Sequence, residues 1–537
     1  MALAIAAVSF AYYYPRGMTT AHYDAKAHLV VARRVLDAAS PGYAQLGSHW
    51  LPLTHFLYIP MVAFDLQYRT GFLPSVVSVL CFALSAWLVF RIGRRVTESE
   101  TGGVMAAAFL ALNQNLQYLA CCPLTEPLFM VLMLAATDSF MLWREGDRSQ
   151  LPVVPAAWVS LSALCRYEGW HFLAGVCLVL LVDRLQGRTS TRDTWRAALA
   201  FGCIFALPVT LHFGYVSSRN GESFFHRVAR GQVGTYETWR RPFLSIWYHI
   251  GELAQIAGVL PLAAGLTGTV LVLSRVRRET RWLPVLALWL PSLTNVAALY
   301  WGLIYRVRYS VLLLPAIALS AAALACSRRF SRPAAVGAGL LTMILPWVPW
   351  WFPDDWQHHF VRAGPGVMLL PVLGLVAVAL SQVAARSAWL AGGLCIISMW
   401  VPGLSGEVRP ILDETREHAF LEAERQPLLE YLRANYDGKT VLVDIEKLAP
   451  LVYDSGVPLR NLVYGEGDLT RWSRALANPS AVADWIWSIQ GDEFSRRLRV
   501  DPHWADGYAL AWQSEYFRVY RRRPAGRSDP LPAGRPE

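Results

Sequence analysis

Charge is scarce in this chain of 537 residues: 16% are Asp, Glu, Lys or Arg, against 54% hydrophobic. A soluble domain spends about a quarter of its residues on charge, so an ordinary soluble enzyme is excluded and a polytopic membrane protein is indicated. Cysteine is sparse and unsuited to bridging, because Cys81, Cys121, Cys122, Cys165, Cys177, Cys203, Cys326 and Cys395 all lie within or beside apolar runs. That placement argues against a disulfide framework. The vicinal pair Cys121 and Cys122 has no second pair at metal-ligand spacing and reads as small buried apolar residues. No internal repeat marks the inverted halves of a secondary transporter. The first run, MALAIAAVSFAYYY, has neither a basic n-region nor a small-residue cleavage site, so it reads as a short first span and not as a removed signal peptide.

What is abundant is apolar sequence in lengths that cross about 30 Å of hydrocarbon. Such segments fall at 1–14, 71–91, 101–120, 123–142, 152–166, 169–183, 197–217, 246–273, 282–303, 309–326, 333–351, 366–382 and 388–404, which makes about thirteen transmembrane helices. Arginine marks every second loop: Arg91, Arg94 and Arg95; Arg144 and Arg148; Arg184, Arg188, Arg192 and Arg196; Arg275, Arg277, Arg278 and Arg281; Arg328, Arg329 and Arg332; Arg386. Short basic loops stay in the cytoplasm, so the expected N-terminus is cytoplasmic. The 15–50 loop, the 218–245 loop and everything after about residue 405 are expected outside. The net charge of +10 is mostly this topological signal. Arginines spread over many loops form no single basic face, so nucleic acid is not an expected partner.

After Gly403 the composition changes to EVRPILDETREHAFLEAERQPLLEYLRANYDGKTVLVDI. Leu428, Leu429 and Leu432 stand at helical spacing, an Asp-Gly turn follows, and TVLVDI and YFRVYRR read as strands. The expected organisation is a transmembrane domain at 1–404, carrying the outer loop 15–50, then an extracytoplasmic α/β domain at 405–523. The Pro-, Gly- and Arg-rich tail at 524–537 reads as disordered.

Ionisable groups at membrane depth are costly and are usually functional, and four clusters qualify. The segment HYDAKAHL places Asp24 beside His22, Lys26 and His28 at a membrane surface. A carboxylate there can serve as a general base whose pKa a neighbouring cation tunes; the plain alternative is a solvated loop. Glu126, in Thr125-Glu126-Pro127, is either a helix-start acid or a second site acid on the same face. Arg166 in CRYEGW either pairs with Glu168 or meets a lipid phosphate. Arg306 and Arg308, beside Tyr309, lie against the positive-inside trend; an anionic head group explains them, and snorkelling is the plain alternative.

These stretches, HYDAKAHLVVARRVLDAASPGYAQLGSHWLPLTHFLYIP, TEPL, CRYEGW and RVRYSVLLLP, with a terminal α/β domain, resemble the GT-C superfamily of membrane glycosyltransferases. The resemblance is to the bacterial branch related to protein mannosyltransferases and lipid A aminoarabinose transferases. It implies transfer of mannose or a similar sugar from a polyprenyl-phosphate donor to an extracytoplasmic glycan, lipid or protein, in a bacterial inner membrane. Asp24 would be the catalytic base, Glu126 would lie near the second outer-loop acid, and Arg166, Arg306 or Arg308 would hold the donor phosphate during an inverting displacement. The chain departs from the pattern in lacking the second acid that some members carry next to the Asp24 position.

No cofactor is expected. A divalent ion held by His22, Asp24, His28, His49, His55 and Glu126 is the variant reading, although these spacings match no metal signature. The alternative from another class is a transporter or flippase for a lipid-linked sugar. It would need polar residues at mid-bilayer, for which Asn113, Gln114, Asn115, Thr294 and Asn295 are the candidates. A membrane anchor for the outer domain is the weakest reading, since an anchor needs one span.

Overall fold

The protein is described here from a computed structural model, which covers residues 1–47, 50–220, 238–303, 305–326, 410–416 and 419–524, with a few single positions between 340 and 399. The expected spans at 333–351, 366–382 and 388–404 lie outside these residues except at those positions, and most of the 218–245 loop, His49 and nearly all of the 524–537 tail lie outside them altogether.

The chain divides into two compact units: Met1–Thr19, Ser75–His212 and Val228–Glu414 form the first, and Thr20–Pro74, Phe213–Arg227 and Thr415–Glu537 form the second. The sequence reading counted the 15–50 loop with the membrane domain. In the structure, residues 20–74 group with the C-terminal domain.

The first unit is helical. Among the described residues, five helices are long and apolar enough to cross a membrane: Phe72–Thr97, Thr125–Glu145, Thr191–Arg219, Thr280–Trp301 and Val307–Cys326. A sixth candidate is a bent pair, Pro242–Ala257 with Val259–Arg275, which turns through 118°. Here the structure corrects the sequence, which read 246–273 as one continuous span. The break falls at Gly258, whose φ of +86° is left-handed backbone that a glycine adopts without a Cβ clash. The run 101–120 is likewise broken, into Glu100–Ala111 and Gln114–Leu119, with Asn113 capping the second piece through its side chain. The two breaks meet: Asn113 and Asn115 donate from Nδ2 to the carbonyl of Ile256 at 2.8 and 3.3 Å. These asparagines satisfy a helix end that would otherwise leave a carbonyl bare in an apolar setting. Close packing is visible between Val259–Arg275 and Leu314–Cys326, where a Cβ on Gly268 would run into the carbonyl oxygen of Ser320. Small residues at such crossings are what let helix backbones approach in a membrane.

The second unit is built on a five-stranded sheet in the order β2-β1-β3-β5-β4. Its strands are β1 Val441–Val443, β2 Leu462–Val463, β3 Trp485–Ile489, β4 Tyr508–Gln513 and β5 Phe517–Arg522. β1 runs parallel to β2 and β3, and β5 runs antiparallel to β3 and β4. TVLVDI and YFRVYRR thus become β1 and β5, and the Asp-Gly turn is present with Gly438 at φ +80°. Both faces of the sheet are covered, which is why its central strands are apolar without alternation. Leu442, Ile486, Phe494, Tyr508 and Tyr520 form the core on one face. Val441, Val443, Trp485 and Trp487 face the other, against Leu428, Leu429 and Leu432 of the helix Ala419–Asn435. The same core takes in Leu29, Val30 and Ala32 of the helix Tyr23–Asp37 and Tyr58 and Val62 of the helix Leu53–Val62. The segment after the first apolar run is therefore a structural part of the C-terminal domain.

Candidate active site

In the first unit, three chain turns bring acids and arginines together in a buried cluster. Glu126 stands in the first turn of the helix Thr125–Glu145 and is 1% exposed. Its Oε1 accepts from Arg166 Nη1 at 2.8 Å and from Arg308 Nε at 2.9 Å. Arg166 lies in the turn between the helices Val153–Cys165 and Glu168–Leu185. It forks onto Glu168, Nε to Oε2 at 3.1 Å and Nη2 to Oε1 at 2.7 Å, and its Nη1 also donates to Thr125 Oγ1 at 2.7 Å. This two-pronged geometry is the strong form of a guanidinium–carboxylate contact. Arg308 stands in the 3-10 turn Val307–Leu313 that leads into the helix Leu314–Cys326 and completes the set, donating from Nη1 to Glu414 Oε1 at 3.0 Å and from its backbone N–H to Glu414 Oε2 at 3.3 Å. The ring of Tyr309 lies 4.6 Å from the guanidinium of Arg166 and 5.3 Å from that of Arg308, within cation–π range of both.

Glu126, Arg166, Glu168, Arg308 and Tyr309 are therefore brought together as the sequence suggested. The plain pairing of Arg166 with Glu168 also forms, inside the larger cluster. Arg306 is half-buried two residues before Arg308. Sequence reasoning missed Glu414 and Glu252. Glu252, 4% exposed, is hydrogen-bonded to Tyr305, and Tyr305 and Ser310 share a hydroxyl–hydroxyl bond of 2.7 Å. Glu252 had a signal, since an acid inside an apolar run is itself a functional marker.

The second unit holds Asp24. It is half-buried in the first turn of the helix Tyr23–Asp37, and its backbone N–H donates to Nδ1 of His22 at 3.0 Å. His22 is thus an N-cap, supplied by an unusual residue type for that place. Lys26 reaches a different acid, Asp454, at 2.8 Å, and Arg425 shares that carboxylate at 3.0 Å. His28 and His55 are buried and joined Nδ1 to Nε2 at 3.0 Å, with the ring of Trp50 4.4 Å from that of His28. Burial pushes the phenol of Tyr23 well above its ordinary range, and the charges of Asp24, Asp444 and Glu446 raise it further. Asp24 thus belongs to an acidic neighbourhood at the ends of the parallel strands. Among the described residues, no three His, Cys, Asp or Glu side chains converge as a metal site.

Known proteins can now be set beside this geometry. Residues 56–212 match the family described as dolichyl-phosphate-mannose-protein mannosyltransferase. The fold is similar to that of ArnT from Cupriavidus metallidurans bound to undecaprenyl phosphate, at 15% identity and a TM-score of 0.56 over 97% of this chain and 98% of that one. The apo form of the same protein matches at 16% identity and 0.51 over 92% of each chain. No protein of curated function matches the sequence.

Proposed function

We propose that the chain is a membrane glycosyltransferase of the GT-C type that moves a sugar from a polyprenyl-phosphate carrier to an acceptor hydroxyl outside the cytoplasm. The observation that carries this reading is the buried cluster of Arg166 and Arg308 on Glu126, set at helix starts in a chain with this fold. The acceptor oxygen attacks the anomeric carbon while its proton passes to the carboxylate of Asp24. The bond from that carbon to the phosphate oxygen breaks, the electron pair leaves with the polyprenyl phosphate, and the configuration inverts. Negative charge growing on the leaving phosphate calls for fixed donors, and Arg308 is the arginine assigned to it, with Tyr309 alongside. Arg166 is committed to Glu126, Glu168 and Thr125, and its place is to hold Glu126 in position. About thirteen spans, a cytoplasmic N-terminus and an inner-membrane location with the C-terminal domain extracytoplasmic complete the proposal. Mannose, another hexose or a pentose would fit the same chemistry.

The transporter reading loses support from Asn113, which caps a broken helix, and from Thr294, whose hydroxyl is bonded to His171 Nδ1 at 2.8 Å. The deciding measurement is sugar transfer by the purified protein in lipid over a panel of polyprenyl-phosphate sugars, with and without chelator. Asp24→Asn should lower turnover by about a hundredfold or more, the scale of a lost general base. A wild type inert across the panel but able to carry lipid-linked sugar across a vesicle would replace this reading with the transporter. Loss of transfer on chelation would assign a divalent ion to the reaction.

A further inference from the structure

The helix Pro242–Ala257 buries polar groups that the fold leaves unsatisfied. Its buried face carries Ser245, His249, Glu252 and Ile256, a spacing that stacks their side chains turn upon turn. The two ends of this row have partners: Ser245 Oγ donates to the carbonyl of Arg241 at 3.0 Å, and the carbonyl of Ile256 accepts from Asn113 at 2.8 Å. The middle of the row does not. Among the described residues, neither ring nitrogen of His249 has a hydrogen-bond partner, and Glu252 Oε2 has none. Both residues are 4% exposed. Buried polar atoms are nearly always paired, and an unpaired one costs free energy. An ionisable pair inside an apolar run is costlier still and is usually functional.

The pair adjoins the arginine assigned to the donor phosphate. Pro242–Ala257 packs against the turn Val307–Leu313, which holds Arg308. Glu252 accepts from the hydroxyl of Tyr305, whose oxygen is 2.7 Å from that of Ser310, so the two residues joined by this bond bracket Arg308 in the chain. Glu252 also lies within electrostatic reach of Glu414, which accepts from Arg308 at 3.0 Å. In a polyprenyl-phosphate sugar the ring is joined directly to the phosphate, so a phosphate on Arg308 brings its sugar to the same turn.

The unpaired atoms suit that ring better than the rest of the donor. Glu252 Oε2 is an acceptor, and a neutral imidazole carries one donor and one acceptor. A hydroxyl both donates and accepts, so neighbouring hydroxyls of a sugar can satisfy all three atoms. A phosphate is repelled by the carboxylate, and a prenyl chain leaves all three atoms bare.

We propose that His249 and Glu252 form the subsite for the donor's sugar, bonding its hydroxyls and so selecting which sugar is transferred. This deepens the transferase reading and rests on it, with Arg308 as the residue that holds the phosphate. A sugar that places no hydroxyl against the pair leaves buried polar atoms unsatisfied, the kind of mismatch that discriminates most strongly between substrates.

The test is binding to the full-length protein in nanodiscs of undecaprenyl phosphate and of its mannosyl, glucosyl, galactosyl and arabinosyl forms, each sugar form read as a ratio to the bare carrier. The wild type should bind at least one sugar form about tenfold or more tightly than the bare carrier, the scale of a hydrogen bond to a charged group. In Glu252→Gln and in His249→Phe this gain should disappear, while binding of the bare carrier reports that the variant is folded. Arg308→Ala should weaken the bare carrier by about tenfold or more. If Arg308→Ala binds the bare carrier as wild type does, the phosphate reading falls. If Arg308→Ala weakens binding while the wild type gains from no sugar, or while both other variants keep the gain, that reading stands and the subsite is overturned. The wild type gives a second readout that no variant's folding can confuse: the preferred sugar form should slow amide exchange over 245–257 beyond any slowing by the bare carrier. Equal exchange with the two ligands would overturn the proposal.

Discussion

The helices Thr125–Glu145 and Glu168–Leu185 each carry a buried charge at both ends, and the two ends are built on different principles. At the starting end, Glu126 and Glu168 join Arg166, Arg308 and Glu414 in one buried cluster. At the finishing end, about 25 Å away by helix rise, Arg144 forks onto Asp183 at 2.8 and 2.7 Å while Arg148 adds a third contact at 3.2 Å. Arg144 spends another donor on the carbonyl of Thr280. Here the surplus is cationic, the geometry is closed, and the partners are loop and helix-end groups of the same unit. The finishing end ties helices together. The starting end gathers a carboxylate from a distant segment onto Arg308, the arginine proposed to meet the donor phosphate.

If this contrast holds, substitutions at the two ends separate stability from activity. The largest effect belongs to Asp183→Ala. It strands Arg144 without its buried partner, and breaking such a pair by removing one side costs about 3–5 kcal/mol. The expected outcome is lost thermal stability of the purified protein and low yield, with turnover per folded molecule near wild type. A stable variant with lost turnover would erase the distinction. Next is Glu126→Gln, which removes the shared acceptor of Arg166 and Arg308. Turnover should fall by about a hundredfold, the scale set by misplacing a catalytic group, while the melting temperature moves less than in Asp183→Ala. Equal loss of stability in the two variants would make the starting cluster another structural tie.

Much of the starting cluster was legible in the sequence because membranes penalise charge: Glu126, Arg166, Glu168 and Arg308 stood out at the ends of apolar runs. Glu414 did not, since it lies in the acidic stretch DETRE, where a solvated segment looks the same as a functional one. Glu252 was visible in principle, alone among carboxylates in PFLSIWYHIGELAQIA, and was lost because the run was read as one span. The break at Gly258 left no trace in hydropathy; only its backbone angle reveals it. The pairing of the helix Tyr23–Asp37 with Leu428 and Trp485 joins residues some 400 positions apart, which local periodicity cannot express. β1 and β5 were readable because turn residues bounded them, whereas β3, WIWSI, is apolar with no alternation to mark it.

The smallest expected effect concerns the acids gathered in the second unit. At the end of β1, burial raises the carboxyl of Asp444 to about 6, and the charges of Glu446 and Asp492 add to the shift. The folded state thus holds this proton more tightly than the unfolded chain, whose aspartates titrate near 3.8. Ionised Asp444 therefore costs stability at every pH above about 6, and the cost is relieved as pH falls through that value towards 4, with no further gain below. In Asp444→Asn that contribution to the pH slope should vanish, and the variant should unfold at a higher temperature than wild type at pH 7.5, with the two curves drawing together near pH 4. Parallel curves across that window would mean that Asp444 titrates normally. The acids around Tyr23 would then be solvated enough to ignore one another, unlike the three carboxylates gathered on Arg166 and Arg308.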